Sequence, residues 1–312
     1  MMAFRFRAGD YSVERAVRRI AREQIDGALA AIDGKNAHVA THEVRKCCKK
    51  VRALIRLVRP GFAGYVQENE AFRDIARGLA GSRDAKVLLD TFDLLAADAQ
   101  KRADPALFGP LRGQLAHEPA RPARGATAEA RLGHARTLLA AARERIGGWT
   151  LECHDWGAQG AGLRKILRRA NKAARTLARE PTARHYHELR KLMKYHWYHT
   201  RLLVPVWPAM MQPRAAELSR LADLLGLHHD ISVFEERVAG RLEGSGYREV
   251  VETLLALALR RRARLEREIG PLVARLLAQA PRALVDHWQA LWGIWRAEHG
   301  GGEAGTANGQ VA

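Results

Sequence analysis

The residues best suited to chemistry are cations and histidines spaced along one helical segment, HEVRKCCKKVRALIRLVRP, which begins at His42. On an α-helix, positions i, i+3, i+4, i+7 and i+14 share one face. The side chains at those positions are His42, Arg45, Lys46, Lys49 and Arg56. They form a cationic stripe roughly 21 Å long at about 1.5 Å per residue. Such a row of fixed charges suits phosphate oxygens, which accept charge-assisted hydrogen bonds.

A second segment, HELRKLMKYHWYHTRLLVP, begins at His187 and aligns with the first without gaps at an offset of 145. Eight of its nineteen positions are identical. Its stripe consists of His187, Arg190, Lys191, Lys194 and Arg201. Glu43 and Glu188 either orient neighbouring cations or are ordinary surface carboxylates. The duplication makes a merely solvated basic face a poorer explanation, as does the near absence of acidic residues from both stripes.

A third cationic stripe precedes the second segment and consists of Lys165, Arg168, Arg169, Lys172 and Arg179. The first-half counterpart is thinner, because Glu14 and Glu23 partly offset its arginines. Residues that could border the same site are Arg19, Arg22, Arg83, His228 and His229. The net charge of +18 is concentrated in residues 41–60, 161–180 and 184–201, so the basicity indicates a site for an anion.

The sequence narrows the choice of anion. It has no GxxxxGK[ST] phosphate loop, and no group of closely spaced carboxylates predicts a magnesium site. Aromatic residues make up 6% of the chain and few lie on the stripes, which gives little support to base stacking. Rigid point charges therefore indicate recognition of phosphate rather than of bases. No cofactor is predicted.

Several other residues have competing interpretations. His42 and His187 occupy matching positions, where each could donate a hydrogen bond to phosphate or serve only in packing. The His228, His229 and Asp230 cluster lacks further ligands at metal spacing, so no metal is predicted there. Instead, Asp84 and Asp230 are predicted to cap the helices that follow them. The three tryptophans of the last helical segment are predicted to lie in the core: Trp288, Trp292 and Trp295.

The elements that position these residues are predicted to be helices throughout. The expected helices cover about 11–32, 41–58, 67–80, 84–101, 127–146, 161–179, 184–204, 213–226, 231–243, 247–268 and 283–297, with a short helix within 103–127. The duplication predicts two similar halves, about 5–150 and 151–299, packed about a pseudo-twofold axis that brings the two basic helices together. Residues 300–312 are predicted to be a disordered tail.

Cysteine usage and hydropathy bear on the compartment. Three cysteines offer no disulfide framework, which fits a reducing cytoplasm. The first residues lack the apolar core of a signal peptide, and the longest apolar run is too short to span a bilayer. A cytoplasmic protein without membrane contact is therefore expected.

The two duplicated segments resemble the signature helices of the CHAD family, the conserved histidine α-helical domain. LADLLGLHHDISVFEERV resembles the family's other recurring segment, and the resemblance spans residues 5–299. It implies one all-α domain of two four-helix-bundle-like halves around a basic groove or pore that binds inorganic polyphosphate. The ExExK signature of the triphosphate tunnel domain, a frequent companion, is absent, so the chain resembles a stand-alone member. Cys47, Cys48 and the stretch from His196 to His199 depart from the family pattern, which leaves the shape of the groove open.

The sequence thus predicts a non-enzymatic polyphosphate binder, with targeting to polyphosphate granules and contact with granule proteins as further expectations. Two alternatives remain open. One is a nucleic-acid-binding protein, although nucleic acid is expected only as a non-specific competitor. The other is an enzyme that processes phosphates with histidine as nucleophile or acid.

Overall fold

The computed structural model describes residues 4–79, 82–99, 108–116, 127–239 and 248–300. This part of the chain is all-α, as predicted, and contains no strand. Its helices are α1 (Val13–Gly34), α2 (Ala37–Leu57), α3 (Tyr65–Gly78), α4 (Ser82–Ala99), α5 (Phe108–Ala116), α6 (Ala128–Arg145), α7 (Asp155–Arg179), α8 (Ala183–Leu203), α9 (Pro208–Ala239), α10 (Arg248–Leu276) and α11 (Pro281–Gly300). The predicted disordered tail, residues 300–312, lies beyond the described residues except for the end of α11.

The two basic segments form helices with similar beginnings and ends. The side chain of Asn36 caps α2 by accepting a hydrogen bond from the Val39 backbone N–H, and Thr182 caps α8 in the same way. After each helix the chain turns through a 3₁₀ segment that contains the matching proline, Pro60 or Pro205. Helices α2 and α8 therefore repeat the same local design.

The apolar stripes of these helices are buried as their spacing predicts. Val44, Cys47 and Val51 of α2 are buried, as are Leu189 and Met193 of α8. Burying such side chains is the main force that holds amphipathic helices together, at about 25 cal/mol per Å² of apolar surface removed from water. The cationic faces of both helices are left beside the packed surface.

Gly162 of α7 allows an especially close helix approach. A methyl group at this position would lie 1.7 Å from the carbonyl oxygen of Leu57 at the end of α2. Only glycine permits the two backbones to come this close. The position therefore fixes how α7 packs against α2.

Two hydrophobic cores organise the described residues. The first contains α1, α2, α3 and α6 together with Trp288, Trp292 and Trp295 of α11, as predicted for these tryptophans. The second contains α4, α5, α9 and α10, and α7 and α8 contribute to both cores. The cores are thus not divided at residue 150, because α4 and α5 pack with α9 and α10, whereas α11 lies against α7 and its tryptophans join the first core. The pseudo-twofold arrangement of the halves stays a prediction.

One prediction was wrong. Residues 213–226 and 231–243 were expected to form separate helices with Asp230 as a cap, but α9 is continuous from Pro208 to Ala239. Asp230 lies inside this helix rather than before its first turn, so it is not an N-cap residue. Asp84 lies within α4, but its side chain is outside the described part of the protein.

Candidate functional site

Helices α2 and α8 lie side by side and line a hollow of about 230 Å³, here called the basic groove. Its lining residues are His38, Thr41, His42, Arg45, Lys46 and Lys49 of α2, and Lys194, Trp197 and Tyr198 of α8. Four of the five residues of the first stripe thus share one hollow with a lysine of the second stripe. The structure brings the two duplicated helices together, as the sequence predicted.

Trp197 holds two cations of α8 beside the basic groove. The Lys194 Nζ atom lies 5.8 Å from the centre of the indole ring, and the guanidinium carbon of Arg201 lies 4.9 Å from it. The negative face of an indole attracts cations at such distances. Helical spacing from Leu189 and Met193 places Trp197 on the apolar face of α8, but Trp197 is only partly buried and also lines the groove.

The two arginines of the first stripe are anchored to α3. The Arg45 Nη1 atom donates a hydrogen bond to the Ala76 carbonyl oxygen at 2.7 Å. The Arg56 Nη2 atom donates to Asn69 Oδ1 at 3.1 Å, and its guanidinium stacks over Tyr195 at 4.4 Å. Arg56 does not line the basic groove, so its main contacts are with the neighbouring helices.

Matching carboxylates contact matching lysines in the two helices. Glu43 pairs with Lys46 at 3.3 Å, and Glu188 pairs with Lys191. The hydrogen bond from Lys191 lowers the pKa of the Glu188 carboxyl. Of the two interpretations drawn from the sequence, these contacts favour orientation of the cations.

The two matching histidines have different surroundings. His42 is exposed at the basic groove, whereas His187 is partly buried with its ring centre 4.4 Å from that of His229 in α9. Burial lowers the pKa of His187, and the nearby His229, Lys191 and Arg190 lower it further. An anion beside this pair would oppose the shift by favouring the imidazolium form.

A family model for the CHAD domain matches residues 15–239, which include α2, α8 and nearly all of α1. This chain belongs to the CHAD domain family. The CHAD match ends at the last residue of α9, so α10 and α11 lie beyond it.

The CHAD fold is also found in a solved structure, described as the crystal structure of the CHAD domain from the plant Ricinus communis. The two chains are 18% identical and superpose with a TM-score of 0.50, over 87% of this chain and 96% of the plant chain. At this identity the likeness establishes the fold alone. No curated protein sequence matches the chain.

The third stripe of this CHAD chain lies on α7. Lys165, Arg168, Arg169 and Lys172 are all exposed. Arg169 and Lys172 line a separate hollow between α7 and α8, so the structure does not bring them into the basic groove. They extend the basic surface rather than the groove itself.

The residues expected at the border have different surroundings. His229 lies against His187, as described, and Arg22 is exposed with its guanidinium directed toward Gly147. Arg19 is committed to ion pairs with Asp10 at 2.7 Å and Glu23 at 3.1 Å. The side chain of Arg83 lies outside the described residues.

His228 is not at the border, because its side chain is buried with 1% exposed. Its Nε2 atom lies 3.0 Å from Glu266 Oε1 of α10. Its ring stacks on that of Tyr186, with 3.9 Å between the ring centres. This CHAD histidine therefore joins α8, α9 and α10 in packing. The sequence could not show this, since the partner Glu266 lies thirty-eight residues away.

His196 and His199 of α8 are fully buried. The His199 Nε2 atom donates to the Ala53 carbonyl oxygen of α2 at 2.9 Å, and burial lowers the pKa of His199 to about 4. His196 Nε2 accepts a hydrogen bond from Arg214 at 3.2 Å, and burial keeps its pKa well below the usual value. These neutral histidines hold α8 against its neighbours. Both lie in phase with Leu192 and Leu203, a signal that could have placed them in the core.

Within the described ranges, no group of three or more His, Cys, Asp or Glu side chains is arranged to hold a metal ion. No helix in that part of the chain is both long and apolar enough to cross a membrane. Cys47 and Cys48 are buried free thiols, and burial raises the pKa of both. Cys153 is a free and exposed thiol.

Proposed function

We propose that this CHAD domain binds inorganic polyphosphate at the basic groove without converting it chemically. One observation carries the proposal. Lys46 and Lys49 of α2 and Lys194 of α8 line one hollow, so cations from two helices converge on one path. A flexible chain with one negative charge per unit can follow such a path, and the family resemblance points to the same ligand.

Binding would combine charge-assisted hydrogen bonds with the release of counterions. The residues proposed to contact polyphosphate are His42, Arg45, Lys46, Lys49, Lys194, His187, Arg190, Lys191 and Arg201, with Lys165, Arg168, Arg169 and Lys172 on the adjoining surface. Arg56 would act indirectly, through its contacts with Tyr195 and Asn69. Neutral Asn or Gln side chains could not replace the cations, because a polyanion's attraction depends on their charge.

We further propose that the protein acts in the cytoplasm, attached to polyphosphate granules through this groove. Contacts with granule proteins would follow from the shared polyphosphate. Neither attachment to granules nor contact with granule proteins requires an enzymatic activity. Storage, scaffolding and regulation all remain compatible with binding of this kind.

The test is a titration with long-chain polyphosphate in about 150 mM salt, conditions under which exposed charges more than about 8 Å apart are largely screened. The variant Arg190→Ala/Lys194→Ala removes two cations of the second stripe. Arg220→Ala/Arg264→Ala is the matched control, because it removes two exposed arginines that pair only loosely with Glu268. We expect the first variant to lose most of its affinity and the second to resemble wild type.

DNA of matched charge serves as competitor in the same titration. Polyphosphate binding that resists DNA supports the proposal, whereas equal competition would reduce it to general polyanion binding. Turnover of polyphosphate that disappears in His187→Ala would instead indicate an enzyme. An equal loss of affinity in both double variants would contradict the placement of the site.

A further inference from the structure

A second hollow lies on the other side of α2, between α1 and α2, and has a volume of about 270 Å³. Its polar lining comes from Glu23, Gln24, Lys35, Glu43, Lys46 and Lys50. Lys46 lines both this hollow and the basic groove. The two spaces are therefore neighbours that share a lining side chain.

The floor of the α1–α2 hollow holds a buried lysine and a buried amide. Lys50 is 5% exposed, and its Nζ atom donates a hydrogen bond to Gln24 Oε1 at 2.6 Å. Gln24 is 6% exposed. Burial lowers the pKa of Lys50 to about 8, and the nearby Lys46 contributes, so most of the amine is still protonated at neutral pH. A lysine is rarely buried this deeply unless its ammonium group has a partner.

Two polar atoms of this hollow are buried without a hydrogen-bond partner. They are Gln24 Nε2, a donor, and Glu23 Oε2, an acceptor. Most buried polar groups in proteins are hydrogen-bonded, so two such atoms beside a buried ammonium indicate a ligand position. The ligand must accept hydrogen bonds from Lys50 and Gln24 and donate one to Glu23.

The repeated hairpin offers a comparison within the same chain. The hollow between α7 and α8 is lined by Arg169, Lys172, Ala173, Glu188 and Leu192, which lie 145 positions after Gln24, Gly27, Ala28, Glu43 and Cys47 of the first hollow. In the second hairpin, however, the position of Lys50 is Tyr195 and that of Gln24 is the exposed Arg169. Both hairpins form the hollow, but only the first builds a buried polar floor.

The charges of the α1–α2 hollow select the ligand. Three lysines face two carboxylates, and Glu23 also pairs with Arg7 at 2.9 Å and Arg19 at 3.1 Å. An anion that still carries a proton fits this balance. A terminal phosphate group has anionic oxygens and a second ionisation with a pKa of about 6, so it can present an O–H group near neutral pH. Internal polyphosphate units have no such proton.

We propose that the α1–α2 hollow binds a terminal phosphate group, either free orthophosphate or the end of a polyphosphate chain. Lys50 and Gln24 donate to its oxygens, and its hydroxyl donates to Glu23. The second source rests on the proposed function, because a chain in the basic groove would pass Lys46 to reach the hollow. The first source is independent of it.

The test compares Gln24→Glu with Gln212→Glu by calorimetric titration with orthophosphate at low ionic strength. Gln24→Glu gives Lys50 a carboxylate partner, which should preserve the fold, but places a negative charge where phosphate would bind. Gln212→Glu makes the same charge change at an exposed position of α9. We expect wild type and Gln212→Glu to bind alike, and Gln24→Glu to bind about tenfold more weakly or worse, since like charges repel.

Polyphosphate with blocked ends separates the two sources. If blocking the ends weakens binding to wild type but not to Gln24→Glu, the hollow takes the chain end; if blocking changes nothing while orthophosphate binds, it takes free phosphate. Equal orthophosphate affinity in wild type and Gln24→Glu, or none in wild type, overturns the proposal. Loss of long-chain binding in the Arg190→Ala/Lys194→Ala variant does not affect the titration with orthophosphate. Failure of one proposal can therefore be distinguished from failure of the other.

A crystal of the wild-type protein grown with phosphate gives a second measurement that needs no variant. Density for a tetrahedral anion within hydrogen-bond distance of Lys50 Nζ and Gln24 Nε2 supports the site. Ordered water alone at saturating phosphate would overturn it.

Discussion

The imidazole ring centres of His187 in α8 and His229 in α9 lie 4.4 Å apart. Burial lowers the pKa of His187, and His229, Lys191 and Arg190 beside it lower this pKa further. His187 is therefore harder to protonate in the free protein than an exposed histidine. A bound polyanion opposes this shift, because it stabilises the protonated form of His187.

We predict that polyphosphate binding tightens as pH falls. The pKa of His187 lies below its usual value of 6.5 in the free protein and rises when an anion binds beside it, so binding takes up a proton. A rise of one pKa unit corresponds to about tenfold in affinity once the pH is below both values. Titrations at about pH 5.5 and pH 8, values that bracket the histidine pKa, would measure the difference.

His187→Gln provides the control for this prediction, since glutamine keeps a hydrogen-bond donor but does not titrate. Because Glu188 and the ends of polyphosphate also titrate, the comparison is between wild type and variant at each pH. An identical pH dependence in both proteins would show that His187 does not couple protonation to binding.

The affinity for polyphosphate should fall steeply with salt. Each phosphate contact contributes a slope of about −0.7 to a plot of log affinity against log salt for a single-stranded polyanion. We expect Lys194→Ala to make the slope shallower by about that amount. The affinity is measured between about 50 and 500 mM salt, a range over which the screening of exposed charges increases strongly. Unchanged affinity across this range would rule out an electrostatic groove.

Acid should destabilise the fold through His199. Its pKa is about 4 in the folded protein and about 6.5 in the unfolded chain, so the unfolded chain takes up the proton first as pH falls. The folded protein keeps this contribution in full above about pH 6.5. The contribution is lost as the pH falls to about 4, which lowers the free energy of unfolding by about 3 kcal/mol.

Urea unfolding of wild type and His199→Gln across this range checks the effect of acid. Glutamine can still donate a hydrogen bond to the Ala53 carbonyl oxygen but has no proton to gain. We expect the variant to show a weaker dependence on pH, with the buried His196 supplying what remains. A parallel pH dependence of the two proteins would contradict the assignment.

Gly162→Ala should be among the more damaging single substitutions. The added methyl group would meet the Leu57 carbonyl oxygen at 1.7 Å, and backbone atoms cannot move aside easily. We expect a loss of about 3 kcal/mol in the free energy of unfolding, at the upper end of overpacking effects. Gly133→Ala in α6 is the matched control, since nothing lies within 4 Å of its added methyl group. It should gain about 0.5–1 kcal/mol from reduced chain entropy.

Much of the fold was predictable because helical periodicity is a local property. The cationic and apolar stripes of α2 and α8 followed from spacing alone, and the duplication indicated that the two helices meet. The break expected before Asp230 was wrong because the helix is held by distant partners. Gly226 lies under the Arg190 guanidinium, and His228 is bonded to Glu266.

The depth of individual polar residues was less predictable. Lys50 belongs to the same basic segment as Lys46 and Lys49, and nothing in its spacing marked it as buried. Its burial depends on how α1 packs against α2, with Gln24 opposite. Depth of this kind is set by the partner helix, which the periodicity of one segment does not reveal.

The packing of α11 has a consequence for synthesis. Phe6 near the start of the described chain packs against Trp292, and the first core also contains Trp288 and Trp295. During translation, nearly three hundred residues must be synthesised before the last side chains of this core are present. The first core therefore stays incomplete during synthesis, and its uncovered apolar surface is prone to aggregation until α11 is made.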